Sequence, residues 1–260
     1  MATHHTPNGI RLKVRVVAGR CEIETADTTE TVVEATPMNR SSASRAAVEA
    51  LVEELRDLPG GGQELVVEVP KRNRLMPGLG DAQVLIHIRG PHGLGLNVST
   101  ASADVEALGR LGDADVRTAS GDVRIESVDG FSEVKTASGD VALGQLGGGN
   151  AGVNTMSGDV HIRETTTALT VNTMSGDVRV QRATGGTIQL RSMSGDLEAA
   201  IARGATLYVD ATSASGDVRS ELPVTGSAPD GGHADVELRA TSLSGDIVVT
   251  RAEPVPSQAA

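Results

Sequence analysis

The sequence predicts a mainly β protein, a single-stranded β-solenoid or β-helix of about 18–19 residues per coil that follows a small α+β cap. Three observations predict it. A Ser-Gly-Asp triplet returns at Ser120, Ser138, Ser157, Ser175, Ser194, Ser215 and Ser244, after an imperfect copy at Ser102-Ala103-Asp104. The intervals between these serines are 18, 18, 19, 18, 19, 21 and 29 residues, and units this short must bury their apolar faces against neighbours. Phe131 and Tyr208 are the only aromatic residues and there is no Trp, so the interior is built from aliphatic side chains and is narrow.

The cap is expected over residues 1–70. Leu12, Val14 and Val16 alternate with Arg11, Lys13 and Arg15, the period of a half-buried strand, and shorter strands follow at Cys21–Thr25 and Thr31–Ala35. From Ser44 to Leu58 the apolar positions Ala47, Val48, Leu51, Val52, Leu55 and Leu58 recur at helical spacing, and Pro59-Gly60-Gly61-Gly62 ends the pattern. That segment is expected to be one amphipathic helix, with a strand at Glu64–Val69 after it. Residues 71–82 read as a linker: Lys71, Arg72 and Arg74 lie between Pro70 and Pro77, a pattern of solvated chain.

The solenoid is expected over residues 83–251, opening with the strand Val84–Ile88. Directly after each motif Asp stand Val105, Val123, Val141, Val160, Val178, Leu197, Val218 and Ile247, with a second apolar column two residues on and mostly polar residues between. Four residues before each motif Ser stand Val98, Val116, Val134, Val153, Val171, Leu190, Ala211 and Ala240. Each coil therefore reads as strand, Ser-Gly-Asp turn, strand and a second Gly-rich connection such as Gly147–Gly149 or Gly185-Gly186. Eight coils make a rod of roughly 35 Å at the ordinary strand spacing. Alternation alone does not decide whether the Ala or Met before each Ser points inward or sits at a corner. Residues 252–260, with Pro254 and Pro256, read as a disordered tail, and the last coil, Ile247–Thr250, is expected to form the C-terminal edge of the rod.

The recurring unit read at Thr118–Val123, Thr136–Val141, Thr155–Val160 and Thr173–Val178 resembles the bacterial β-strand-repeat domain of unknown function whose members are described as candidate adhesins. The resemblance covers roughly residues 84–250. It implies a β-solenoid or β-helix-like fold and brings no catalytic residues with it.

The remaining chemistry points the same way. A formal charge of −11 does not suit nucleic acid, and no stretch is apolar enough for a membrane-spanning helix. With no secretory leader read at Met1–Ile10 and a single Cys21, the expectation is a cytoplasmic protein. Stacked carboxylates at Asp122, Asp140, Asp159, Asp177, Asp196 and Asp217 are read as structural, each taking backbone N–H groups in an Asx-type turn. Calcium is not expected there, because one Asp per coil gives too few oxygen ligands. His87, His161 and His233 stand apart from one another in sequence, and no protease, hydrolase, zinc or nucleotide-binding motif occurs. We therefore expect no enzyme, no catalytic residue, no cofactor and no metal, and a scaffold or protein-interaction module that binds a protein partner or itself. The alternatives from other classes are a carbohydrate-active or acyl-transferring β-helix enzyme and a self-assembling β-helical polymer.

Overall fold

The computed structural model describes residues 2–6, 9–59, 61–70, 82–222 and 234–253. Residues 71–81 of the expected linker, most of the tail and the insertion from Pro223 to His233 lie outside these residues.

One long strand begins the stack. β2 (Ile10–Ala26) joins the two short strands expected from the sequence, and Leu12, Val14, Cys21 and Ile23 along it are fully buried. Gly19 sits at its middle with φ +122, where an added Cβ would meet the backbone of Val84 at 2.1 Å, so only glycine lets the next strand close on it. β1 (Ala2–His5), β3 (Glu30–Pro37), β4 (Val52–Asp57), β5 (Gln63–Glu68) and β6 (Val84–Pro91) complete the N-terminal unit. β5 lies parallel to the first half of β2 and β6 to the second, while β4 and β3 pair antiparallel to β5 and β6. On its other side β2 runs in parallel register with β7 (Leu94–Arg117), so the N-terminal unit is hydrogen-bonded directly onto the coils.

The expected helix Ser44–Leu58 is corrected to α1 (Ser42–Glu49). Ser41 caps it by accepting the amide of Ser44 at 3.0 Å. Val52 and Leu55 fit a helical period, but their segment folds back as a strand against β5, the amide of Leu58 donating to the carbonyl of Gly62, and both stay exposed. Pairing with a neighbour overrode the local pattern.

From β7 onward the strands fall into two parallel stacks. One contains the end of β7, β9 (Ser132–Lys135), β11 (Asn150–Asn154), β13 (Ala168–Ser175) and β15 (Gly186–Ser194). The other contains the middle of β7, β8 (Val123–Val128), β10 (Val141–Leu146), β12 (Val160–Thr165), β14 (Val178–Ala183) and β16 (Leu197–Ile201). Both apolar columns are buried in one core, as expected. Val116, Val134, Val153, Val171 and Leu190 are at most 1% exposed, as are Val105, Val123, Val141, Val160, Val178 and Leu197. Each fully buried aliphatic side chain contributes about 1.5–3 kcal/mol, which makes these columns the main stabilising contribution.

The C-terminal coils do not stack in chain order. β19 (Val236–Ser244) pairs with β15 on one side and β17 (Leu207–Ser215) on the other; β20 (Ile247–Arg251) lies likewise between β16 and β18 (Val218–Ser220). The coil that closes the chain is thus inserted one place inward. This corrects the expectation that Ile247–Thr250 forms the edge: Ile247 is 1% exposed, whereas Val218 of the outermost coil is 47% exposed. The inserted coil carries the larger inward residues after its motif Asp, Ile247 and Val249, where the outermost coil offers Val218 and Ser220, so the interior position goes to the coil that fills it better.

Candidate functional site

The repeated turn is the feature that most resembles a site. In each coil the motif Asp leaves the core column and its carboxylate reaches along the rod to the next coil. The amides of Asp122, Asp140, Asp159, Asp177, Asp196, Asp246 and Asp217 each donate to Oδ1 of the preceding Asp in space, at 2.8–3.1 Å. The carboxylates are structural acceptors, as the sequence implied, but the donor corrects the Asx-turn expectation: it belongs to the neighbouring coil, not to the same turn. Such a charge-assisted bond offsets the repulsion of carboxylates stacked about 5 Å apart.

Glycine at the motif centre has a steric cause. A Cβ on Gly139 would lie 2.0 Å from the carbonyl oxygen of Gly121, one on Gly158 2.3 Å from that of Gly139, and one on Gly176 2.3 Å from that of Gly158. Close approach of successive turns, not a left-handed conformation, is what excludes other residues at Gly139 and Gly158. The Thr two places before the motif Ser closes the turn in three early coils: Thr100 accepts the amide of Ala103 at 2.8 Å, and buried Thr118 and Thr136 accept those of Gly121 at 2.9 Å and Gly139 at 3.0 Å.

The side chain just before the motif Ser, undecided in the sequence, faces solvent. Met156, Met174, Met193 and Leu243 are 54%, 48%, 51% and 57% exposed. Sequence reasoning missed them as functional candidates; the available signal was that large apolar residues take this place in four copies while Ala takes it in the others.

The other candidates are placed separately. Cys21 is fully buried in the column that Val105 and Val123 continue, and burial pushes its thiol up to about 12, so it is an unreactive core residue. His87 lies 3.6 Å from Glu24 on the outer surface of the N-terminal unit, and His161 sits on the polar face beside Arg179. His233 lies outside the described residues. Among the described residues, no helix is long and apolar enough to cross a membrane.

Comparison with solved structures finds matches of low identity. A candidate cell adhesion protein from Clostridium sporogenes ATCC 15579 is 12% identical, over 96% of this chain and 98% of that one, with a TM-score of 0.32. A candidate adhesin from Bacteroides fragilis NCTC 9343 is 12% identical, over 95% of each chain, with a TM-score of 0.45. Among curated proteins none matches. The Toastrack DUF4097 family matches residues 55–250, from within β4 to the last strand of the inserted coil, and the chain belongs to that family.

Proposed function

We propose that the protein is a non-enzymatic interaction module, adhesin-like in the broad sense that it works by docking another protein chain, and that it docks through the open end of its stack. One observation carries this reading. β17 and β18 are each paired on a single side, and no other described strand covers them. Leu207, Val209 and Ala211 on the core side of β17 are only half-buried, while Ile188, Leu190, Leu238 and Ala240 in the coils beneath are at most 1% exposed. A strand edge with free N–H and C=O groups over an unfinished apolar layer is a template for strand addition.

A second copy of the chain is the partner that fits most simply. In an antiparallel pairing centred on Ala211, Asp210 meets Thr212, Val209 meets Ser213 and Leu207 meets Ser215, so no like charges oppose each other. The N-terminal end, covered by antiparallel β3 and β4, differs from this one, which favours a closed two-fold pair over an open polymer.

A non-enzymatic role is supported by how the reactive groups are used: the motif carboxylates accept backbone amides, and Thr118 and Thr136 close turns. The same use supports a ladder that needs no calcium, and its negative charge disfavours nucleic acid. A cytoplasmic location is part of this reading and rests on the chain's one thiol being unpaired.

The test is light scattering against concentration, beside Val209→Lys/Val218→Lys, which charges the half-buried layer and the exposed edge of the open end, with a thermal melt to show that the rest of the stack stays folded. The reading expects the mass to rise toward a dimer in the native protein and to stay monomeric in the variant. A native protein that remains monomeric at high concentration, with the variant indistinguishable from it, would remove the open end from the account.

A further inference from the structure

The exposed residues before the motif serines form one continuous strip. The amide of Ser175 donates to the carbonyl of Met156, which seats Met174 beside Met156. The pairs Thr173–Ser192 and Ser175–Ser194 bring Met174 beside Met193, and the pairs Ser192–Ser242 and Ser194–Ser244 bring Met193 beside Leu243. Ala137 precedes the strip and Ala214 follows it. The four large side chains are consecutive only because the coil of β19 and β20 is inserted; stacked in chain order, Ala214 would separate Met193 from Leu243.

The strip has a charged border. Three residues further along each coil, Asp159, Asp177, Asp196 and Asp246 run parallel to it, each with Oδ1 held in the ladder. Among the described residues none of these four forms an ion pair with Lys or Arg. On the other flank lie Asn154, Asn172, Arg191 and Thr241, mostly uncharged. An exposed apolar strip marks a contact surface, and methionines, flexible and polarisable, adapt to varied partners.

We propose that this strip and its acidic border dock a basic amphipathic helix lying along the rod. The sign of the border requires Lys or Arg beside the partner's apolar face and repels an acidic segment or an anionic membrane. Spacing selects the helix. Coils repeat about every 4.8 Å and helical turns about every 5.4 Å, so apolar residues one turn apart stay within about 2 Å of successive coils over three steps. A strand laid along the same line, with like-facing side chains about 6.7 Å apart, slips by about 2 Å at every step. The face lies on the side of the rod, separate from the open end, and the proposal shares with the preceding section only the reading of the protein as an interaction module.

The test uses the full chain and a fluorescein-labelled peptide with Leu along one helical face and Lys elsewhere, followed by anisotropy. Controls are a scrambled peptide of the same composition, a version with Glu in place of Lys, and vesicles of phosphatidylglycerol. The labelled helix should bind, and Met156→Ser/Met174→Ser/Met193→Ser, at half-exposed positions, should weaken it by at least about tenfold while leaving the melt unchanged. Asp159→Asn/Asp177→Asn/Asp196→Asn keeps an oxygen acceptor for each ladder bond and should weaken binding and flatten its salt dependence. The proposal is overturned if the methionine variant binds as tightly as the native protein, if the scrambled peptide or the Glu version binds equally well, or if the vesicles bind and the peptide does not. The end-charged variant Val209→Lys/Val218→Lys should still bind the peptide, so this face and the open end succeed or fail independently.

Discussion

The backbone amide of Asp177 donates to Oδ1 of Asp159, one coil away, at 2.9 Å. The carbonyl of Asp177 in turn accepts the amide of Val160 at 2.9 Å, so Asp177 holds one neighbouring coil through its backbone and, through its own carboxylate, the amide of Asp196 in the next. Asp177→Ala removes the acceptor for Asp196 and should cost about 0.5–1.5 kcal/mol. Asp177→Asn, which retains an oxygen in place, should cost less than half as much. Urea melts of the two variants decide it, and equal losses would show that the charge, not the hydrogen bond, is what matters.

Gly158→Ala should cost about 1–3 kcal/mol, because its Cβ would sit 2.3 Å from the backbone oxygen of Gly139 and the two turns would have to separate. Gly147→Ala is the control. The nearest atom to a Cβ there is 3.7 Å away, and the substitution should stay within about 0.5 kcal/mol of the native protein.

Val160→Asp should cost several kcal/mol, since Val160 is 1% exposed between Val141 and Val178 and the new carboxylate would have no partner. Arg179→Glu, one residue over in the neighbouring coil and facing water, gives up an ion pair with Glu198 at 2.6 Å and should cost under about 1 kcal/mol. Thermal melts that place the two substitutions at equal cost would contradict the assignment of inside and outside.

Asp235 clasps the outermost coil. Its carboxylate accepts both the amide and the hydroxyl of Thr206 at 2.8 Å, and these bonds hold it below the usual carboxylate range. A carboxyl with a lowered folded pKa adds stability that is fully present above the unfolded value, about 3.9, and is lost as pH falls through the folded one. The difference in melting temperature between native protein and Asp235→Asn should therefore be constant at neutral pH and shrink in acid below that range. A difference that stays the same down to the lowest pH at which the protein folds would exclude the clasp.

The coils were legible in the sequence because a period of two inside each strand and a turn triplet between strands leave one reading of which Val or Leu faces inward. Three things were not. Val52 and Leu55, three residues apart, fit a helical period and fall on opposite faces of a strand, and only pairing with Gln63–Glu68 overrides that local pattern. The exposure of Met156 and Met174 could not be read because the Ser-Gly-Asp turn interrupts alternation at that point. The order of the last two coils was hidden because Ser215 and Ser244 head equivalent motifs, and the larger inward residues of one coil, Ile247 and Val249 against Val218 and Ser220, show which fills the interior better but not that the chain departs from sequential stacking. The role of the aspartates was legible in kind, as acceptors, while their donors were not, since those are supplied by the neighbouring coil.

That order underlies both the open end and the continuous methionine strip, and cysteine pairing tests it directly. Gln189 pairs with Arg239, which pairs in turn with Asp210, so Gln189 and Asp210 stand two strands apart, about 9.6 Å. Mild oxidation of Gln189→Cys/Arg239→Cys should give an intramolecular disulfide, identified by mass spectrometry after digestion, while Gln189→Cys/Asp210→Cys, with Cα atoms too far apart to bridge, should not. Buried Cys21 would stay out of the exchange. The reverse pattern, a disulfide within Gln189→Cys/Asp210→Cys and none within Gln189→Cys/Arg239→Cys, would mean that the coils stack in chain order and would contradict the account.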